Sequence, residues 1–85
     1  MDRQRIDKWL WHARMVRTRG DAAALADAGH VRLNGRRVAA SSQMVRVGDV
    51  VTVALDRVGR VVEVQGFSSC RDGAVLAQRL YREVD

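Results

Sequence analysis

The sequence predicts an α+β fold: an N-terminal helix pair packed on a small, mostly antiparallel β-sheet, followed by a short C-terminal helix. Three observations predict it. Apolar residues recur at helical spacing in the first part of the chain, up to a stop at Gly29. From Val31 onward the period changes to two, with turn pairs at Asn34-Gly35 and Gly48-Asp49. Helical spacing returns only near the end, at Leu76 and Leu80. The order reads ααββββα, with helices grouped rather than alternating with strands, which is the α+β pattern. Eighty-five residues, 47% of them apolar, make a single domain over 1–85 with a modest core.

Residues 5–16 read as the first helix. Ile6, Trp9, Leu10 and Ala13 fall at i, i+3, i+4 and i+7, one apolar stripe, while Arg5, Lys8 and His12 lie on a different flank. Trp11 and Met15 point away from the stripe. Two outcomes are open for them: packing under the C-terminal segment, or a Trp11 ring free to stack on a base. Thr18 is a good N-cap for the second helix, with Asp21 three residues on as a short capping box. Ala22 to Ala26 are small or strong helix formers, and Gly29 supplies the left-handed stop. The helices are joined by a tight basic turn, Val16-Arg17-Thr18-Arg19.

Val31 and Leu33 alternate with Arg32, and Asn34-Gly35 is the strongest short hairpin signal because a type I′ turn needs positive φ at both positions. Arg36, Arg37 and Val38 return. Ala39 to Gln43 is a small polar loop, and Val45 to Val47 leads into the Gly48-Asp49 turn. Val50–Leu55 is a β-branched strand, Asp56–Arg60 a third turn, Val61–Val64 another strand, Gly66–Gly73 a loop. Ala74–Arg82 reads as the last helix, with Leu76 and Leu80 on one face and Val75 near it.

The net charge is +5, and its distribution is informative. Residues 1–46 hold ten basic and four acidic residues; residues 47–85 hold five and six. Fourteen of the fifteen cations are Arg, whose planar fork suits phosphates and base edges. A basic half on a small domain points to nucleic acid first. Other classes recede. A single cysteine, Cys70, excludes an intramolecular disulfide and a Cys-based zinc site. With Arg71 beside it, Cys70 reads as a buried or idle thiol. No apolar run of membrane-spanning length and no signal peptide is apparent, so the expected location is cytoplasmic, away from membranes. His12 and His30 lack partners at ligand spacing and are expected at the surface. Asp7, between Arg5 and Lys8, reads as a brace for those cations, and Asp49 as a turn residue. No glycine loop cradles a phosphate. The expectation is a non-enzyme with no catalytic residues, no metal and no cofactor.

The basic residues form three groups. Arg3, Arg5 and Lys8 belong to the start of the first helix; Arg14, Arg17 and Arg19 surround the turn; Arg32, Arg36 and Arg37 flank the hairpin. If the hairpin folds back on the helices, these cations form one surface. The N–H groups at the start of the second helix add an anion site beside Arg17 and Arg19.

Five segments in this order carry a resemblance: Arg5-Ile6-Asp7-Lys8-Trp9-Leu10, Arg17-Thr18-Arg19, Ala24 to Gly29, Val31 to Val38 with its Asn34-Gly35, and Val45-Arg46-Val47-Gly48-Asp49-Val50. Over residues 3–55 the chain resembles the RNA-binding domain named after small-subunit ribosomal protein S-four, also called the alpha-L motif. The resemblance implies RNA binding by the helix pair and adjoining loop, through shape and phosphates. It carries over to Arg5, Lys8, Arg17, Thr18, Arg19, Asn34, Gly35 and Arg36, with Asn34 and Gly35 shaping the hairpin. Asp7 to Trp11 and the segment from Arg71 to Glu83, with Ala77-Gln78-Arg79-Leu80-Tyr81, resemble the stand-alone branch of that family. That branch holds the fifteen-kilodalton heat-shock protein and compact relatives in ribosome-associated quality control.

The resemblance implies partners: ribosomal RNA and peptidyl-tRNA on large subunits that carry stalled chains, with a nascent-chain tailing factor as a protein partner, and action as a monomer. The heat-shock form has a long basic C-terminal extension, whereas this chain reaches Asp85 in a slightly acidic segment and is nearer the compact form in length. Gly20-Asp21 departs from the small or aliphatic residues more common there. Two alternatives stand beside this reading. One is a helix-turn-helix-like DNA-binding regulator, against which Asp21 and Asp27 on an Ala-rich second helix count. The other is an RNA-binding appendage of an RNA-modifying enzyme.

Overall fold

The computed structural model describes residues 2–55, 58–70 and 73–84. Strand β1 (Arg3–Arg5) runs directly into helix α1 (Ile6–His12), and helix α2 spans Arg19–Asp27. The strands β2 (Val31–Leu33), β3 (Arg36–Arg37), β4 (Met44–Arg46), β5 (Val50–Leu55) and β6 (Val58–Val64) follow. A short helix α3 (Ala74–Ala77), a 3-10 turn (Gln78–Leu80) and strand β7 (Tyr81–Glu83) complete the order. All pairings are antiparallel. A two-stranded ribbon joins β1 to β4, and a five-stranded sheet has the order β3-β2-β5-β6-β7. The α+β class stands, with two strands, β1 and β7, that the sequence did not signal.

Helix α1 buries Ile6, Trp9 and Leu10 completely, with Ala13 just beyond it, so the predicted stripe is the core face. A fully buried Leu or Ile side chain contributes about 1.5–3 kcal/mol relative to exposure. Opposite them lie Ala22 and Ala26 of α2 and the inner sheet residues Val31, Leu33, Val51, Val53, Val62 and Val64. Alanines on α2 keep the helix close to its neighbour, and Trp9 fastens the far side by donating its indole N–H to the Gly66 carbonyl at 3.0 Å. At the other sheet edge Arg60 pairs with Glu83 and lies over the Tyr81 ring. Hydrogen bonds to Glu83 and then Tyr81 hold its pKa above the usual arginine value.

Helix α1 is shorter than the predicted 5–16. It ends because Arg14 takes a left-handed conformation, φ 60°. The Arg14 N–H then reaches the Trp11 carbonyl (3.0 Å) and the Met15 N–H the Leu10 carbonyl (3.1 Å), a Schellman closure. Helix α2 closes in the same way: Gly29 at φ 87° bonds to Ala26 and His30 to Leu25, and this stop was legible from glycine. His12 is buried, not at the surface as expected, with its ring 5.4 Å from that of Trp11. Its place on the last turn of a helix covered on both sides outweighs its polarity. Trp11 is half-buried and packs against the core, and Met15 is buried, so packing is the outcome for both.

The Asn34-Gly35 hairpin forms as predicted, with φ 52° and 84°. Gly48 at φ 95° makes the second turn. Of the predicted third turn, Asp56 and Arg57 lie outside the described residues, and Val58 to Arg60 already belong to β6. The predicted C-terminal helix 74–82 is a correction. Only Ala74–Ala77 is α-helical; Leu76 is 49% exposed while Ala77 and Leu80 are buried, and Tyr81–Glu83 pairs with β6. The hydrogen bonds offered by the free edge of β6 outweigh the local helical spacing. Cys70 is exposed, which removes the buried alternative; its neighbour Arg71 lies outside the described residues.

Candidate nucleic-acid interface

The buried acid Asp7 organises the basic residues at the helix starts. Its side chain is only 4% exposed. It accepts from Arg5 Nε at 3.2 Å and Arg5 Nη2 at 3.0 Å, and from the Lys8 backbone N–H at 2.7 Å. Arg19 Nη2, from the first residue of α2, lies 3.8 Å from the same carboxylate. The remaining N–H groups at the start of α1 are satisfied by the 39–43 loop: Ile6 donates to the Gln43 carbonyl and Asp7 to that of Ser41. Asp7 is therefore the brace expected from the sequence for Arg5; for Lys8 it takes only the backbone N–H, not the ammonium, and it also draws in Arg19, which the sequence did not reveal.

Thr18 caps α2 as predicted, its hydroxyl accepting from the Asp21 N–H at 3.0 Å. Arg17 and Thr18 are exposed in the joining turn, and Arg14 is exposed at the end of α1. The N–H groups of Arg19 and Gly20 lie in the first turn, outside the helix's own hydrogen bonding. Beyond that turn the exposed flank of α2 is not basic. A hollow of about 430 Å³ beside it is lined by Asp21, Ala24, Leu25, Ala28, His30 and Leu55.

The hairpin cations sit at the opposite end of α2, about 14 Å along a nine-residue helix. Arg32 and Arg37 are direct cross-strand partners, and Arg36 lies opposite Leu33. The Arg37 guanidinium lies against Gly29, so close that a Cβ there would meet its Cζ and Nε at 2.5 Å. Helix α2 has no basic residue in its last turn. Arg37 supplies a cation at that negative end from the neighbouring hairpin. Gly29 is thus required twice, for its φ and for its missing side chain. The hairpin does fold back on the helix pair, but the cations fall into two groups at the two ends of α2 rather than one continuous surface.

Asn34 shapes the hairpin. Its side chain accepts from the Val50 N–H (2.8 Å) and donates to Asp49 Oδ1 (3.2 Å), while Asp49 Oδ2 accepts from the Arg46 N–H (2.8 Å). The Asn34-Gly35 and Gly48-Asp49 turns, predicted separately, lock each other. Arg3 lies at the start of β1 opposite Arg46, a residue absent from the set picked from sequence. Its signal was the Met44-Val45-Arg46 alternation, but its partner strand was not legible. Among the described residues, no group of three His, Cys, Asp or Glu side chains is placed to hold a metal ion. No helix there is long and apolar enough to cross a membrane.

Residues 4–51, which contain both groups of cations, match the S4 domain. The likeness runs further along the chain. It is 37% identical over 81 residues to the heat shock protein 15 homolog of Haemophilus influenzae, covering 95% of this chain and 61% of that protein. Against heat shock protein 15 of Escherichia coli K12 the identity is 35% over 79 residues, covering 93% and 59%. The chain thus spans about three fifths of the length of these curated relatives. The small ribosomal subunit protein uS4 of Rhodopseudomonas palustris is 40% identical over 50 residues, 59% of this chain and 24% of its own. In three dimensions the fold superposes on the heat shock protein 15 of Vibrio cholerae, whose structure is described as trimeric. The TM-score is 0.91 at 37% identity, over 98% of this chain and 83% of that one.

Proposed function

The chain belongs to the S4-domain family, and from that premise we propose that it is an RNA-binding protein without chemistry of its own. Its targets are ribosomal RNA and peptidyl-tRNA on large ribosomal subunits obstructed by a stalled nascent chain. Its setting is cytoplasmic ribosome-associated quality control, in rescue or C-terminal tailing, beside a nascent-chain tailing factor. The observation that carries the reading is the cluster braced by Asp7. One buried carboxylate orients Arg5 and Arg19, from two different elements, beside the capped start of α2. Braced arginines lose less side-chain entropy when they meet a phosphate than free ones do.

Arg17, Thr18 and Lys8 surround this cluster and make the first phosphate contacts. Arg32, Arg36, Arg37 and Arg14 extend the contact, and Asn34 and Gly35 hold the hairpin in shape. A DNA reader is disfavoured by α2 itself, whose exposed positions include Asp21, Ala24 and Asp27. These offer little to base edges and repel phosphate. Sucrose-gradient fractionation tests the function. The protein comigrates with free large subunits at low salt; its absence from every ribosomal fraction refutes the reading. The proposed monomer is a separate matter from the trimer described for the Vibrio cholerae relative, and light scattering at micromolar concentration decides it.

A further inference from the structure

We propose that the outer face of the β1–β4 ribbon, built on Arg3 and Arg46, is a second RNA-backbone contact. This rests on the RNA-binding reading above and extends it to a part of the fold outside the helix pair.

Both strands of the ribbon have the same alternation, exposed-buried-exposed. The register sets Arg3 opposite Arg46, Gln4 opposite Val45 and Arg5 opposite Met44. The inner face is secured. Val45 is fully buried, and Gln4, 4% exposed, donates its side-chain N–H to the Ser68 carbonyl at 3.0 Å. The outer face therefore consists of Arg3, Arg46, Arg5 and Met44, and Met44 is left 43% exposed.

Direct cross-strand partners bring their Cβ atoms to about 4.5–5.5 Å, and like charges so placed work against strand pairing. Neither Arg3 nor Arg46 has a carboxylate within ion-pair distance among the described residues. The nearest acid in sequence to Arg46 is Asp49, and its two carboxylate oxygens are engaged by the Arg46 backbone N–H and by Asn34. Two arginines set opposite each other with no carboxylate of the described residues to pair them form a seat for an anion, because a phosphate between them relieves the repulsion.

The position of the pair identifies the anion. Arg5 is at once on the outer face of the ribbon and in the Asp7 cluster. On its other side, Arg46 is tied through Asp49 to Asn34 at the hairpin. The ribbon thus lies between the helix starts and the hairpin, the two groups of cations that α2 keeps apart. A polymer of phosphates that engages both groups passes over it. Met44 beside Arg5 gives the intervening ribose or base an apolar surface.

The test is binding of the full chain to a labelled RNA stem–loop over a salt series, for Arg3→Ala, Arg46→Ala, Arg46→Lys and, as references, Arg17→Ala/Arg19→Ala and Arg79→Ala. Each ribbon alanine variant is expected to bind about three- to tenfold more weakly, whatever the RNA sequence, and to lower the salt slope by about 1. Arg46→Lys keeps the parental slope. Arg79→Ala, on the 3-10 turn before β7, removes the same charge and leaves the slope unchanged. The melting temperature of Arg46→Ala equals or exceeds that of the parent, since a like-charge contact has gone. Parental affinity and slope in both ribbon alanine variants, with Arg17→Ala/Arg19→Ala weakened, overturn the ribbon contact and leave RNA binding standing. Parental binding in all the alanine variants overturns the RNA-binding reading itself.

Discussion

Replacing Asp7 with Asn removes one charge and changes almost nothing in shape. The structure sets the expected cost. The Asp7 side chain is 4% exposed, so its own polar atoms have little water to turn to. In the variant one amide oxygen still accepts the Lys8 N–H, but the amide nitrogen then faces the Arg5 guanidinium, donor against donor. The bond from Arg5 Nη2 is lost, and the bond from Arg5 Nε to the retained oxygen and the 3.8 Å attraction to Arg19 lose the carboxylate's charge. A hydrogen bond to a charged group contributes about 1.5–3 kcal/mol when buried. Arg5 and Arg19 are 45% and 43% exposed, so solvent screening roughly halves that figure. The expected loss is about 1.5–2 kcal/mol, which for a domain of this size lowers Tm by about 6–16 °C. Circular dichroism melts at low salt and at 1 M salt measure it. The loss persists in high salt because the acceptor is buried. A change below about 0.5 kcal/mol, or one that disappears with salt, refutes the brace.

Three further outcomes follow from single contacts. Alanine at both Arg17 and Arg19 weakens RNA binding by about 1–3 kcal/mol across sequences, read as a titration of labelled RNA. Asn34→Ala loses the bonds to Val50 and Asp49 and leaves at φ 52° a residue without the polar side chain that tolerates that conformation, which lowers stability by about 2 kcal/mol in urea unfolding. Gly29→Ala meets both the φ of 87° and the Arg37 guanidinium. It costs about 1–2 kcal/mol, and the double variant Gly29→Ala/Arg37→Ala recovers part of that by clearing the space.

The features legible in the sequence were those that a few neighbouring residues decide. Thr18 and Gly29 bound α2 because a hydroxyl and a missing Cβ each meet a local backbone requirement. Asn34-Gly35 sets its turn for the same reason. Asp7 was legible as a brace for Arg5, two residues away, but not for Arg19, which reaches it only when α2 packs on α1. Strand β1 carried no apolar signal: its buried residue is Gln4, which is inside because Ser68 takes its hydrogen bond. Strand β7 was hidden by Leu76 and Leu80, whose spacing imitates a helix face although only Leu80 enters the core. Arg14 ended α1 where a glycine is the usual sign. Arg46 was missed as a member of the basic surface because the register of two distant strands sets its place opposite Arg3.

The central claim is that the basic first half of the chain is an RNA-binding surface, and photocrosslinking to RNA tests it most directly. The protein is irradiated in cells and the crosslinked peptides are mapped by mass spectrometry. Crosslinks concentrated on peptides within residues 3–46, at the helix starts, the hairpin and the ribbon, are the expected result. Crosslinks confined to residues 58–84, or none above the level of an unrelated basic protein, contradict it.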